Sequence, residues 1–278
     1  MVNVEKVTFT GAQETTLATL YGKAMESRQP NSVLGDRLAY QALQRIDYDF
    51  TKLRMSRRDQ QSAAVRAKAY DGWVQRFLDR YPECTVLHLG CGLDTRVYRV
   101  DSPSTAGWYD IDLPGVIDLR QRLFAPREGL HTIAASVTDP HLLDEIPGDK
   151  PVLVVAEGLT PYLRAADGVA MLRRITDHFP SGEMVFDGYS RLGGWILRRY
   201  LPVKVSGAQV DWAIDDPRDL ETAVPGLVFD SEWWLGDEPE VQRQYSWLYR
   251  QLLRILFRIT VIRRLGRGLR YHFGYQGA

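Results

Sequence analysis

The run Val86-Leu87-His88-Leu89-Gly90-Cys91-Gly92-Leu93-Asp94-Thr95-Arg96 carries an apolar strand directly into a glycine turn that opens a helix. Glycine takes positive φ at little cost and lets a ligand approach the backbone, so such a turn suits a nucleotide-like cofactor. Asp112 closes a second short apolar run about twenty residues on, where βαβ units place the carboxylate that holds a ribose. The third position of a dinucleotide fingerprint is Thr95 rather than glycine, and Asp94 precedes it. A pyrophosphate would meet the Asp94 charge beside the helix N-terminus, which disfavours NAD. A cofactor without phosphate and with a cationic centre suits the loop better, and S-adenosylmethionine joins adenosine to a sulfonium and an amino acid. Asp94 also has a plainer reading as a helix N-cap.

The elements that must position these groups follow from periodicity. Strands are expected at 84–89, 107–111, 131–135, 151–156 and 183–187, with helix-length or loop segments between them, the alternation that builds parallel βαβ units. The second and fourth runs read as strands covered on both faces. Residues 62–80 place Val65, Ala69, Trp73, Phe77 and Leu78 on one helical face, which should pack on the sheet. Residues 14–50 read as helical pieces broken around Pro30 and Asn31. Beyond Tyr189 the pattern loosens into a segment, 191–217, rich in Trp, Tyr, Arg and Gly. Leu227-Val228-Phe229 and Arg270-Tyr271-His272-Phe273 read as two final strands, with a helix between them carrying Arg250, Arg254 and Arg258. From Val241 onward there are eight arginines and no acid, suited to an anionic substrate, an acidic carrier protein or a membrane surface, or to a solvated helix face.

Composition bounds the answer. With 278 residues, 45% of them hydrophobic, the chain can bury a full core as one domain. Lys plus Arg balances Asp plus Glu at 35 each, so no global field recruits nucleic acid, which is not expected as a partner. No apolar run approaches the ~18 residues of a membrane span, and the start lacks a signal core, so a cytoplasmic protein is expected. Cys84 and Cys91 lie on the strand and turn of the glycine motif, where a mutual bridge would distort the loop; reduced thiols and no metal site are expected.

Three segments together resemble one family: Leu89-Gly90-Cys91-Gly92-Leu93-Asp94-Thr95-Arg96, Tyr109-Asp110-Ile111-Asp112-Leu113-Pro114-Gly115-Val116-Ile117, and Ala156-Glu157-Gly158-Leu159-Thr160-Pro161-Tyr162-Leu163. They are similar to the leucine carboxyl methyltransferase and polyketide-synthesis O-methyltransferase superfamily, a branch of the class I S-adenosylmethionine-dependent enzymes. The block from Glu26-Ser27-Arg28-Gln29-Pro30 through Asp36 to Ile46-Asp47-Tyr48-Asp49-Phe50 resembles its small-molecule branch, and the likeness spans about residues 15–190. The resemblance implies an α/β fold with a doubly wound, mostly parallel seven-stranded Rossmann-like sheet. It divides the single domain into an N-terminal helical cap (1–61), a cofactor-binding core (62–190), an inserted substrate lid (191–226) and C-terminal edge strands with a helix (227–278).

Carried over residue by residue, the resemblance implies that Gly90 and Gly92 pass close to the methionine portion of the cofactor, and that Asp112 accepts the ribose hydroxyls. Asp110, the competing acid, is then expected as a surface or turn residue. Arg66 and Lys23 match family groups that pair with the cofactor carboxylate, Glu157 matches one near its amine, and Ser136 and Val137 fall where adenine is held. Arg66 otherwise reads as a helix-surface charge. The better-known carboxyl methyltransferases have Asp at the Ser136 position, and Thr160-Pro161 departs from a mostly apolar stretch. Tyr162 matches a tyrosine facing the transferred methyl, although an aromatic between Pro161 and Leu163 also fills a core. A carboxylate acceptor is ionised at neutral pH, whereas a phenol with pKa near ~10 needs a base. No histidine has a motif partner, which favours a carboxylate. The expected activity is methyl transfer from S-adenosylmethionine to a carboxyl or hydroxyl oxygen of a small, polyketide-like acceptor. That acceptor would be enclosed by Trp195, Tyr200 and Trp212. Methylation of a protein C-terminal carboxylate and a non-catalytic cofactor-binding partner are the alternatives, and an exposed C-terminal edge suits a homodimer.

Overall fold

The computed structural model describes residues 4–243 and 260–274. In chain order it runs through β1 (Glu5–Lys6), α1 (Ala12–Glu26), α2 (Arg37–Leu43), β2 (Ile46–Asp47), α3 (Arg57–Arg80), β3 (Thr85–Leu89) and α4 (Arg96–Arg99). There follow β4 (Gly107–Asp112), α5 (Pro114–Leu123), β5 (Leu130–Ala134), β6 (Val152–Ala156), α6 (Ala165–His178) and β7 (Gly182–Gly188). The rest comprises α7 (Arg191–Leu197), α8 (Leu201–Ser206), α9 (Asp219–Ala223), β8 (Val228–Trp233), α10 (Pro239–Gln242), a short helix Thr260–Arg263 and β9 (Arg267–Phe273). Seven strands form one sheet in the order β5-β4-β3-β6-β7-β9-β8; the first five are parallel and the last two antiparallel, as the periodicity and the resemblance predict. β1 and β2 pair separately, a contact too short to show in the sequence.

Successive residues of a strand point to opposite faces, so each central strand feeds two cores. Leu87, Ile111, Val154 and Phe186 pack with α6 on one face, and Val86, Trp108, Val155 and Val185 pack with Tyr70, Val74 and Phe77 of α3 on the other. A third cluster seats Leu17, Leu20 and Ala24 of α1 against α2, Leu93 and Leu119. Because the five parallel strands share one direction, the glycine turn, Asp112, Glu157 and Asp187 all emerge at the same edge of the sheet, where ligands bind in open α/β folds.

Two expectations shift. The helix read at 62–80 begins at Arg57, because Ser56 and Asp59 form a capping box that satisfies the first-turn N–H groups. The tryptophans expected to enclose an acceptor do not do so: Trp212 is 5% exposed within the main core, and Trp195 is 49% exposed with the Arg199 guanidinium stacked on its ring. The large apolar face of Trp212 is spent against α6, whereas Tyr200 lines a cavity. The helix bearing Arg250, Arg254 and Arg258 lies outside the described residues. Among the described residues no helix is long and apolar enough to cross a membrane.

Gly168 is where α6 and Trp212 meet: a Cβ there would lie 2.0 Å from the indole ring. Gly168→Ala should therefore destabilise the fold by about 1–3 kcal/mol through overpacking, read as a lowered denaturant midpoint with an unchanged m-value.

Candidate functional site

Gly90 and Gly92 have φ of 61° and 53°, values that L side chains rarely adopt, so the turn requires glycine at both positions. The turn is pinned from below by Asp112, whose Oδ2 accepts the Gly92 N–H at 2.8 Å while Oδ1 accepts the Leu113 N–H at 2.7 Å. Thr16 of α1 lies over Gly92, its Oγ1 2.9 Å from where a Cβ would stand, and this takes the room a diphosphate would need there. Beside the turn lies a cavity of about 200 Å³. Gly90, Asp112, Ser136, Val137 and Tyr162 all line it, together with Gly158, and Thr15 and Thr16 of α1 form its roof. The fold thus brings together residues from the ends of β3, β4, β5 and β6 that span 73 positions, 90 to 162.

Lys23, Arg66 and Glu157 form a second, adjacent group, with the Lys23 and Glu157 side chains buried and Arg66 partly exposed. Glu157 Oε1 lies 3.0 Å from Arg66 Nε and 3.6 Å from Lys23 Nζ, and Oε2 accepts from Arg96 Nη2. Burial works to raise the Glu157 carboxyl, but Lys23, Arg66 and Arg96 outweigh it and hold it down at about 2. Asp94 is held by Lys23 at 2.9 Å and by Arg99 at 2.7 Å; burial again opposes ionisation, and Arg99, Lys23 and Arg96 win, keeping it well below the usual carboxylate range. This corrects the reading of Asp94 as a free negative charge on the loop. Its carboxylate is consumed by cations from α1 and α4, and its Oδ1 also accepts the Arg96 N–H at 3.0 Å in the manner of a cap.

Asp110 is the second correction. It is fully buried, not a surface or turn residue, because β4 continues through Asp112 with partners on both sides. Its carboxylate accepts from Trp108 Nε1 and His88 Nδ1, each at 3.0 Å, and from the Arg120 fork. Arg96 Nη1 lies 3.1 Å from His88 Nε2, and because a guanidinium can only donate, that nitrogen accepts and Nδ1 donates to Asp110.

Asp112 stands apart from these acids, since no ion pair holds it among the described residues. Burial pushes it up, and its two backbone donors only partly offset that. Each carboxylate oxygen has two lone pairs and uses one on the backbone, so both can still accept a hydroxyl. Facing the same cavity, Ser136 Oγ lies 2.8 Å from Thr138 Oγ1 and offers a further polar contact. A two-oxygen acceptor, a hydroxyl and a phosphate-free cradle fit the vicinal diol and base of an adenosine, and the clustered cations and carboxylate fit an amino-acid end.

A second cavity, about 320 Å³, lies on the α3 side. Arg66, Asp187, Tyr189 and Tyr200 line it with Met55 and Trp233. Arg66 and Gly158 separate the two spaces: a Cβ on Gly158 would lie 3.6 Å from Arg66 Nη2. Sequence reasoning missed Asp187, Tyr70 and Arg96. For Asp187 the signal was present, since an acid at the last position of an apolar run is what singled out Asp112 and Glu157.

The leucine carboxyl methyltransferase family model matches residues 16–176. The chain is 48% identical over 238 residues to the tetracenomycin polyketide synthesis O-methyltransferase of Streptomyces glaucescens, covering 84% of this chain and 87% of that one. It is 36% identical over 293 residues to an S-adenosyl-L-methionine-dependent methyltransferase of Gibberella zeae, covering 96% and 97%. The structure of a candidate methyltransferase from Thermobifida fusca matches with a TM-score of 0.60 at 16% identity over 96% of both chains, which shows the shared fold.

Two outcomes follow from the contrast between the acids. Glu157 and Asp94 have depressed pKa values, so their stabilisation is complete above the unfolded pKa near ~4 and is lost as pH falls toward their folded values. Thermal melting from pH 7 downward should therefore show a steep loss below about pH 4, and Lys23→Met should lower stability at pH 7 by about 1–3 kcal/mol by removing one of the cations that hold each of the two buried carboxylates. Asp112→Ala should change the melting temperature far less but weaken S-adenosylmethionine binding about 10- to 100-fold by calorimetry.

Proposed function

The chain belongs to the leucine carboxyl methyltransferase family and is an S-adenosylmethionine-dependent methyltransferase, and from that premise we propose that it methylates an oxygen of a small, polyketide-like acceptor. The observation that carries this reading is the pair of adjoining cavities, one lined by Asp112 and the glycine turn and the other, about 320 Å³, of a size that suits a small organic molecule. The Streptomyces relative, an O-methyltransferase of polyketide synthesis, supports the choice of oxygen and of a polyketide scaffold.

When bound, S-adenosylmethionine supplies a methyl group made electrophilic by the positive sulfur. The protein's task is then to hold donor and acceptor in line, and alignment at about 3 Å is worth several kcal/mol. In this reading Asp112 receives the ribose hydroxyls, Ser136 and Val137 flank the adenine, and Gly90 and Gly92 keep the backbone close to the methionine portion. Arg66 and Lys23 hold its carboxylate and Glu157 its amine, each giving up part of a contact it makes with the others. Tyr162, in the first cavity and packed toward Thr15, faces the transferred methyl. Residues 191–226 cover the acceptor, with Tyr200 on the cavity wall and the Asp211 N–H tied to the Pro161 carbonyl at 2.8 Å, so that cover and methyl-facing turn move as one.

The test is methyl transfer from labelled S-adenosylmethionine to three acceptor sets: aromatic polyketide acids, phenolic polyketides, and a peptide ending in leucine. Label is expected in an ester or ether of the small molecules. Label on the peptide alone, or on nitrogen or carbon, overturns the reading.

A further inference from the structure

Asp187 is the penultimate residue of β7, at the boundary between the two cavities. It is 3% exposed, it lines the larger cavity, and it accepts the N–H of Gly158, which lines the smaller one. Its other oxygen accepts the Tyr70 hydroxyl at 2.8 Å. Arg66 Nη1 stands 3.7 Å from Oδ2, but the same guanidinium is engaged through Nε by Glu157 at 3.0 Å, so one cation serves two buried carboxylates. The groups facing Asp187 are Tyr70 and Arg66 from α3, Glu157 after β6, and Tyr189 and Tyr162. Burial raises its carboxyl, and Arg66 and the two hydrogen bonds do not bring it back. The other carboxylate of the cavity, Asp59, is tied into the capping box at the start of α3.

We propose that Asp187 is the proton acceptor for a hydroxyl-bearing methyl acceptor, so that phenols, and not only carboxylates, are substrates of this site. The inference rests on the methyltransferase reading above. The acceptor oxygen forms its bond to the methyl carbon as the methyl–sulfur bond breaks, and the bonding pair stays on sulfur, which becomes neutral. The hydroxyl proton passes to Asp187 and from there to solvent. Each Asp187 oxygen keeps one lone pair beyond its present bond, so the carboxylate can take the proton without releasing Tyr70 or Gly158. A base of this kind contributes about 10²–10⁴ in rate, and only where the acceptor is not already ionised.

That condition supplies the test. Wild-type protein and Asp187→Asn are assayed at pH 8 with S-adenosylmethionine and three probe sets: simple alkylphenols, nitrophenols that are already ionised, and aromatic carboxylic acids. The variant should lose about 100-fold or more in kcat/KM on alkylphenols and less than about 3-fold on the other two. Equal loss on all three marks a merely structural role and overturns the proposal. Turnover of carboxylic acids with no phenol methylated also overturns it, while leaving the O-methyltransferase reading intact. Two further readouts guard against a folding defect. Tyr70→Phe removes a hydrogen bond to the charged form and should move the acid limb of the alkylphenol pH profile upward by about half a unit or more. Without cofactor, 4-nitrophenol bound to wild type should titrate at higher pH than when bound to Asp187→Asn, followed by its absorbance. An unmoved limb, unchanged titration or absent binding overturns the assignment.

Discussion

Carboxylates gathered at the edge of the sheet are buried, and a buried charge must be paired or it costs several kcal/mol. Asp94, Asp110 and Glu157 meet this constraint with cations drawn from different elements: Lys23 on α1, Arg66 on α3, Arg96 and Arg99 on α4, and Arg120 on α5. Each cation therefore fixes the helix that carries it. Arg99 also reaches Asp36 ahead of α2 at 2.9 Å, and Asp71 on α3 at 2.7 Å, so the N-terminal helices are locked to the core by charge as well as by the apolar seam of Leu17, Leu20 and Leu93. The apolar seam supplies most of the attraction, since pairing at best offsets the desolvation of these groups. The ion pairs supply register, because a helix displaced by one turn would strand a charge.

Against that background the acids left short of compensation stand out. Asp112 has two backbone donors and no cation, and Asp187 shares one arginine with Glu157. Both border cavities, and both are raised by burial rather than lowered by pairing. Proteins tend to carry such electrostatic deficits where a ligand will complete the set, because full satisfaction in the free state leaves nothing to bind with. At Asp110 and Asp112, two residues apart, one carboxylate is paired with Arg120 and the other has no cation, whereas in the proposed reading Glu157 is both paired and part of the cofactor site.

The two cavities also differ in what builds them. The smaller is made by strand ends and the turns directly after them, positions set by the parallel sheet, under a roof from α1. The larger draws on α1, α3, Asp187 of β7, the segment after β7, and strands β8 and β9. In the proposed reading the cofactor is held mainly by strand ends, and the acceptor meets helices and connections that can vary around the sheet.

The sequence alone determined the sheet and the glycine turn, and the family resemblance added Asp112, Ser136, Val137 and Tyr162, which with Gly90 make up part of the smaller cavity's wall. Those signals are local: short apolar runs, glycines at a strand-to-helix turn, and acids at the ends of apolar runs. It also carried the capping box at Ser56 and Asp59, a spacing of three that announces the true start of α3. What only the tertiary structure decided was the state of each charge. Arg120 lies ten residues beyond Asp110, Lys23 lies 71 before Asp94, and Asp187 lies 117 beyond Tyr70, so no window along the chain shows that they meet. The same is true of Trp212, whose place in the core depends on an absent side chain at Gly168. Spacing along the chain fixes which atoms a strand or helix presents, whereas pairing and burial depend on which elements fold against one another.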